Sequence, residues 1–125
     1  IAMLSVPPPF QRPRWAQKAA DRAHRQFASG LGDHLSLLGT FVRYSCAESK
    51  AQLCNDHFLQ ERSMRQAESV ARQLEGILRK RRLVGIAPPL EGGGLTAAIR
   101  QSLIEGFFMQ CAYIDQGGKN YLTVQ

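Results

Sequence analysis

SMRQAESVARQLEGIL, residues 63–78, decides the class of this chain. Met64, Ala67, Val70, Ala71, Leu74, Ile77 and Leu78 recur three or four residues apart, the spacing that gathers side chains on one face of an α-helix. Ser63-Met-Arg-Gln66 has the capping-box form, in which a hydroxyl and a glutamine serve the free amides of a first turn. The stretch therefore predicts a long helix over about 64–82.

Upstream, Ser49-Lys-Ala-Gln52 repeats the capping pattern and predicts a short helix over about 50–59. Before it, GDHLSLL (32–38) holds an acid, an imidazole and a hydroxyl within five residues. No nucleophile is paired with Asp33, and an apolar run follows at once. Asp33 therefore reads as the cap of a helix from His34 to about Cys46, with Gly32 letting the chain turn. A carboxylate there accepts from first-turn amides and suits the positive end of the helix dipole; its loss costs about 1 kcal/mol. The inner stripe of this helix is expected to be Leu35, Leu38, Val42 and Ser45 or Cys46, widened by Leu37 and Phe41.

Further upstream, VPPPFQRP (6–13) is a connector that cannot be helix interior. Pro13 suits a first turn. Trp15, Ala19, Ala23 and Phe27, with Ala16 and Ala20 beside them, predict an amphipathic helix over 14–28. ASGLGD ends it.

Downstream, VGIAPPLEGGG (84–94) reads as a loop. Thr96 is the expected cap of a fifth helix to about Cys111. Ile99, Leu103, Ile104, Phe107 and Phe108 leave that helix little polar surface, which predicts a central position. Gly106 inside it is expected where a neighbouring helix approaches closely. QGGKN (116–120) reads as a turn, and YLTVQ alternates like a strand whose partners are missing. The fold class is thus all-α: a bundle of about five helices with a short C-terminal β segment.

Composition narrows the function. The 125 residues, 44% hydrophobic, suffice for one core. No apolar run of about 18 residues exists, so no membrane helix is expected. The chain starts without Met or a signal peptide, which suggests a piece of a larger protein. Cys46, Cys54 and Cys111 are odd in number and lack CxxC spacing, which argues against a disulfide framework or zinc site and favours cytosol or nucleus. His24, His34 and His57 fall on different predicted elements. There is no P-loop, GxSxG or HExxH, so no catalytic residue and no metal ligand is assigned. The net charge of +6 and a pI near 9.7 make nucleic acid the first candidate partner.

The basic residues cluster. Arg65, Arg72 and Arg79 recur every seven residues and share a face of the long helix. Arg62 and Arg65 flank Ser63 at the helix start, where cations are disfavoured by about 0.3–1 kcal/mol. An anion there would reverse that penalty, because free amides and guanidinium groups can share a phosphate. The bland alternative is a solvated face, with Arg62 offset by Asp56, Glu61 or Glu68.

Five blocks in order carry a family resemblance: AMLSV with F-x-RP (2–6, 10–13), GDHLSLL (32–38), C-x-x-x-FL-x-x-RSM (54–64), IRQSLIEGFFMQCA (99–112) and YLTV (121–124). Together they resemble the C-terminal helicase-associated region of DEAH-box ATP-dependent RNA helicases. The resemblance implies the end of a winged-helix domain at 1–6, a helical-bundle or ratchet domain at 7–112, and the start of an OB-fold at 113–125. It implies an RNA-stimulated ATPase that remodels RNA–protein particles in the nucleus or cytoplasm, with the nucleus favoured. ATP and Mg would bind upstream, outside this chain. The implied partners are single-stranded RNA, the RecA-like, winged-helix and OB-fold domains of the same helicase, and a G-patch activator. The family's RNA-facing RSL segment matches Arg62, Ser63 and Met64, so Arg62, Ser63 and Arg65 are the leading RNA-binding candidates, followed by Arg72 and Arg79. Leu53 replaces the usual Trp, Gln60-Glu61 replaces Asn-Tyr, and Gly39 replaces Asn. Glu61 puts a negative charge beside the expected phosphate path. A non-catalytic basic module for RNA or protein, and a free-standing small RNA-binding protein, remain open at this point.

Overall fold

The computed structural model describes residues 1–84 and 93–123. Five helices and a two-stranded antiparallel sheet follow one another, in agreement with the expected class. They are α1 (Gln17–Arg25), α2 (Asp33–Ser45), α3 (Lys50–Asp56), α4 (Glu61–Lys80), α5 (Gly93–Gly106), β1 (Ala112–Ile114) and β2 (Tyr121–Thr123). Short 3-10 turns cover Ala2–Leu4 and Phe108–Gln110. The chain divides into two compact units, residues 1–86 and 87–125.

The first unit is built around Met3, Phe27, Tyr44, Cys54, Leu59, Met64 and Ala67, with Val6, Phe10, Leu37, Phe41 and Leu53 packed against them. The proline-rich connector takes part. Phe10 forms an antiparallel bridge with Leu59. The Gln11 amide donates to the Phe58 carbonyl at 2.8 Å, and the Gln60 amide donates to the Pro9 carbonyl at 2.7 Å. A segment that cannot be helix thus becomes an extended brace across the end of α3 and the start of α4.

That brace corrects the first predicted helix. The chain leaves it extended and turns at Pro13–Ala16, where the Ala16 amide donates to the Pro13 carbonyl. Helix α1 therefore begins at Gln17, not Arg14. Trp15 lies in the turn and is 84% exposed, not on the inner stripe. Ala19 is also exposed, whereas Ala20, Ala23 and Phe27 are buried.

Helix α2 has nearly the expected span, but its inner face is rotated. Thr40 and Tyr44 are fully buried, while Leu38 and Val42 are exposed. Thr40 can be buried because its Oγ1 donates to the Ser36 carbonyl at 2.8 Å, so no hydroxyl is left unpaired there. Asp33 is the first residue of the helix, not its cap, and its side chain caps no amide. Gly32 holds the cap position at φ +113°, a conformation essentially reserved for glycine. Ser36 Oγ closes this corner instead, donating to the Gly32 carbonyl and accepting from the Ser29 amide.

Ser49 caps α3 as expected, accepting from the Gln52 amide. The helix ends early because Phe58 is left-handed at φ +52°. The Leu59 amide then reaches the Cys54 carbonyl at 2.8 Å and the Phe58 amide reaches Asn55, the bonds of a Schellman ending. Arg82, at φ +54°, ends α4 in the same way, with the Leu83 amide on the Leu78 carbonyl.

Helix α4 starts two residues before the expected cap. With Gln60 held by Pro9, the Met64 amide closes the first turn on the Gln60 carbonyl. Ser63 lies inside the turn, 2% exposed, and its Oγ donates to Gln60 Oε1 at 2.9 Å. Met64 and Ala67 are fully buried, but Ile77 and Leu78 at the far end of the stripe are exposed.

In the second unit, α5 carries no buried residue, where a central position was expected. A unit of one helix and one hairpin is too small to surround it. Thr96 lies within the helix rather than at its cap, and Gly106 is its last residue, with no atom within 4 Å of where a Cβ would stand. The terminal strand is also partnered: Ala112, Tyr113 and Ile114 pair with Thr123, Leu122 and Tyr121. The hairpin turns through Gly118 at φ +67°. The Asp115 carboxylate accepts from the amide of Lys119 and the side chain of Asn120, and the Asn120 bond leads in holding its pKa below the usual carboxylate range. Most of the expected loop at 84–94 lies outside the described residues.

Candidate nucleic-acid interface

Fourteen of the sixteen basic residues but only seven of the ten acidic ones belong to residues 1–86. The excess positive charge is therefore a property of the first unit. Which cations are available depends on how the acids are spent.

On α4, Glu61, Glu68 and Glu75 recur every seven residues, four before Arg65, Arg72 and Arg79. That order and spacing suits ion pairing on a helix. Two pairs form. Arg65 Nη2 lies 3.4 Å from Glu61 Oε1, and Arg79 bonds Glu75 Oε1 through Nε and Nη2 at 3.0 and 2.6 Å. The middle pair does not. Glu68 accepts instead from Lys50 Nζ of α3 at 2.5 Å, while Lys50 also sits 5.2 Å from the Tyr44 ring centroid. Among the described residues, Arg72 is thus left without a carboxylate.

Arg62 is in the same state at the opposite end. It is exposed, and none of Asp56, Glu61 and Glu68 pairs with it among the described residues. It stands in the first turn of a helix of 20 residues, where the amides of Glu61, Arg62 and Ser63 have no acceptor among the described residues. Both the dipole and these donors favour an anion there. Ser63 supports the turn from inside, since its hydroxyl is buried and already bonded to Gln60. The five residues singled out from the sequence thus share one helix but not one condition. Arg62 and Arg72 are unmatched, Arg65 and Arg79 are partnered, and Ser63 is internal.

Two features of this surface were missed in the sequence. One is the diversion of Glu68, which only the packing of α3 on α4 reveals. The other is on α1. There Arg12 holds Asp21 through two bonds of 2.7 and 2.8 Å, and that hydrogen bonding is the main reason the Asp21 carboxyl titrates below its usual range. Lys18, Arg22 and Arg25, all exposed, have no carboxylate partner among the described residues. Their i, i+4, i+7 spacing was a legible signal of a single face.

The histidines pack rather than gather. His24 meets Phe10 edge-on at 4.9 Å, with Nε2 3.3 Å from the Phe58 carbonyl oxygen. His57 meets Phe27 at 5.1 Å, and His34 is exposed. Among the described residues, no group of three or more His, Cys, Asp or Glu is arranged to hold a metal ion. All three cysteines are free, and burial raises the pKa of the Cys54 thiol. No described helix is long and apolar enough to cross a membrane.

No protein-family model matches the chain. A curated relative does: the pre-mRNA-splicing factor ATP-dependent RNA helicase prp22 of Schizosaccharomyces pombe is 36% identical over 124 residues. The match takes in 99% of this chain but 10% of the relative, so the chain spans about a tenth of that protein's length. The resemblance carried by the five sequence blocks therefore holds, and the chain corresponds over nearly its whole length to a helicase-associated segment of the DEAH-box RNA helicases.

Proposed function

We propose that this chain is the helical segment of an ATP-dependent RNA helicase that lines part of the RNA channel and holds single-stranded RNA by its phosphates. The observation that carries the reading is Arg62: an exposed guanidinium without an ion pair among the described residues, in the first turn of α4, within the block that resembles the family's RNA-facing segment. A phosphate at this point would accept from first-turn amides and from the guanidinium together. Arg72 extends the line along the same helix. Arg65 and Arg79 contribute less, because each is already bonded to a glutamate. Ser63 keeps the turn in shape.

In this reading the segment reads no base sequence. Phosphate contacts fix register and orientation but carry no sequence information. ATP and Mg bind in parts of the helicase outside these residues, and the segment couples their turnover to movement along RNA by keeping its hold on the strand. Residues 1–6 close a winged-helix domain, 7–112 form the ratchet domain, and 113–125 open an OB-fold. The relative's designation as a pre-mRNA-splicing factor supports a nuclear role in RNA processing, and the family resemblance alone implies a G-patch protein as activator. The test is Arg62→Ala in the full-length protein. RNA-stimulated ATPase is expected to fall while the basal rate stays near that of the parent. Equal stimulation by RNA in both proteins would remove Arg62 from the phosphate path.

A further inference from the structure

We propose that Trp15, with Lys18, Arg22 and Arg25 of α1, forms a second site for single-stranded RNA, in which the indole stacks on a base and the three cations meet the flanking phosphates. This rests on the reading of the chain as an RNA-binding segment but not on any contact at Arg62.

Trp15 is the only tryptophan in the chain and is 84% exposed. An indole left that far in water is uncommon, since burying its large apolar surface is favourable. Its position is built rather than loose. The Pro13–Ala16 turn fixes the backbone on one side, and the Trp15 ring lies 6.3 Å from that of Phe58, tilted by 59°. Phe58 is in turn held by the Gln11 amide on its carbonyl and by the left-handed ending of α3. The indole is thus braced along one side and open over most of its surface, the form of a stacking platform.

Three residues on, Lys18 begins the exposed basic face of α1, followed by Arg22 and Arg25. Ala20 and Ala23 point into the core on the other side, which fixes the orientation of this face toward solvent. The nearby acid, Asp21, is bonded by Arg12 and acts on Arg25 only through the field, without an ion pair. An exposed aromatic three residues ahead of exposed cations that form no ion pair among the described residues suits a ligand with a π-face and negative charge in alternation, which is the chemistry of a single strand. Charge complementarity selects RNA over an apolar partner, which would leave Lys18, Arg22 and Arg25 unanswered.

The experiment is titration of the 125-residue chain with a 12-nucleotide oligouridylate and with an abasic oligomer of equal length, following tryptophan fluorescence and anisotropy of labelled RNA. Oligouridylate is expected to quench Trp15, and the abasic strand to bind without quenching. Trp15→Ala is expected to weaken binding at least about fivefold, the lower end of what one base–aromatic stack contributes. Joint Lys18→Gln, Arg22→Gln and Arg25→Gln substitution is expected to reduce the slope of log K against log salt by about 2, at about 0.7 for each single-strand phosphate contact. Arg62→Gln should weaken binding but leave the quenching at saturation intact. Unchanged fluorescence at saturation, with Trp15→Ala binding as the parent does, would overturn the site while leaving the α4 reading standing. Unchanged RNA affinity of Trp15→Ala with a lowered melting temperature would overturn it in favour of a packing role. Failure of the parent chain to bind either strand at low salt would sink both readings.

Discussion

Removing Lys50 should weaken RNA binding through a residue that Lys50 never touches. Lys50 bonds Glu68, and that bond keeps Glu68 from Arg72, its partner four residues on. The equivalent pairs Glu61–Arg65 and Glu75–Arg79 do form on the same helix, so nothing in the geometry of α4 forbids the middle one. In Lys50→Met, Glu68 is released. An i, i+4 pair is worth about 0.4 kcal/mol, a factor of about 2, so Arg72 should be paired roughly two-thirds of the time. One phosphate contact contributes about 0.7 to the salt slope on single-stranded RNA, so the slope should fall by about 0.5. Anisotropy titrations with oligouridylate across a salt series would measure it. Lys50→Met with Glu68→Gln, which has the parent's net charge, should restore the slope. Melting curves would separate the modest stability loss expected from removing a part-exposed ion pair and a cation–π contact. If the double variant binds as weakly as Lys50→Met, the capture of Arg72 by Glu68 is refuted and Lys50 itself meets the RNA.

Other consequences concern the fold. Tyr44 is fully buried and its hydroxyl has no hydrogen-bond partner among the described residues, so Tyr44→Phe should be neutral or stabilising in urea unfolding. A loss above about 1 kcal/mol would mean that the hydroxyl is bonded. Gly32→Ala should cost about 1–3 kcal/mol because of its φ of +113°, whereas Gly39→Ala, in open space within α2, should stabilise by about 0.5–1 kcal/mol. Equal effects at the two glycines would contradict the assigned backbone. A thiol reagent should modify exposed Cys46 rapidly and leave Cys54 untouched until unfolding, since burial both shields that thiol and raises its pKa. Rapid labelling of Cys54 in the native chain would place it outside the core.

The helices were legible wherever periodicity and local chemistry agreed. Ser49 caps α3, and the apolar spacing of α2 and α4 located both within a few residues. The errors came from long-range bonds. Pro9 fixes the start of α4 by holding Gln60, which no local capping pattern around Ser63 reveals. Trp15 fits an apolar stripe on paper, but the Phe10–Leu59 bridge delivers the chain to α1 through a turn that leaves the indole outside. Thr40 and Tyr44 escaped the hydropathy stripe because hydroxyl residues are expected outside a core. Three-residue β1 gave too short a pattern to read. The candidate site divides in the same way. Its arginines and their seven-residue spacing stand in the sequence, but which of them are free depends on Lys50 reaching across from another helix.

The central claim, that the start of α4 lies on the path of single-stranded RNA, is tested most directly by photocrosslinking. A 4-thiouridine-substituted RNA would be bound to the full-length protein with a non-hydrolysable ATP analogue, and the crosslinked peptides identified by mass. The account predicts crosslinks within residues 58–72. Efficient crosslinking elsewhere in the protein, with none in residues 58–72, would contradict it.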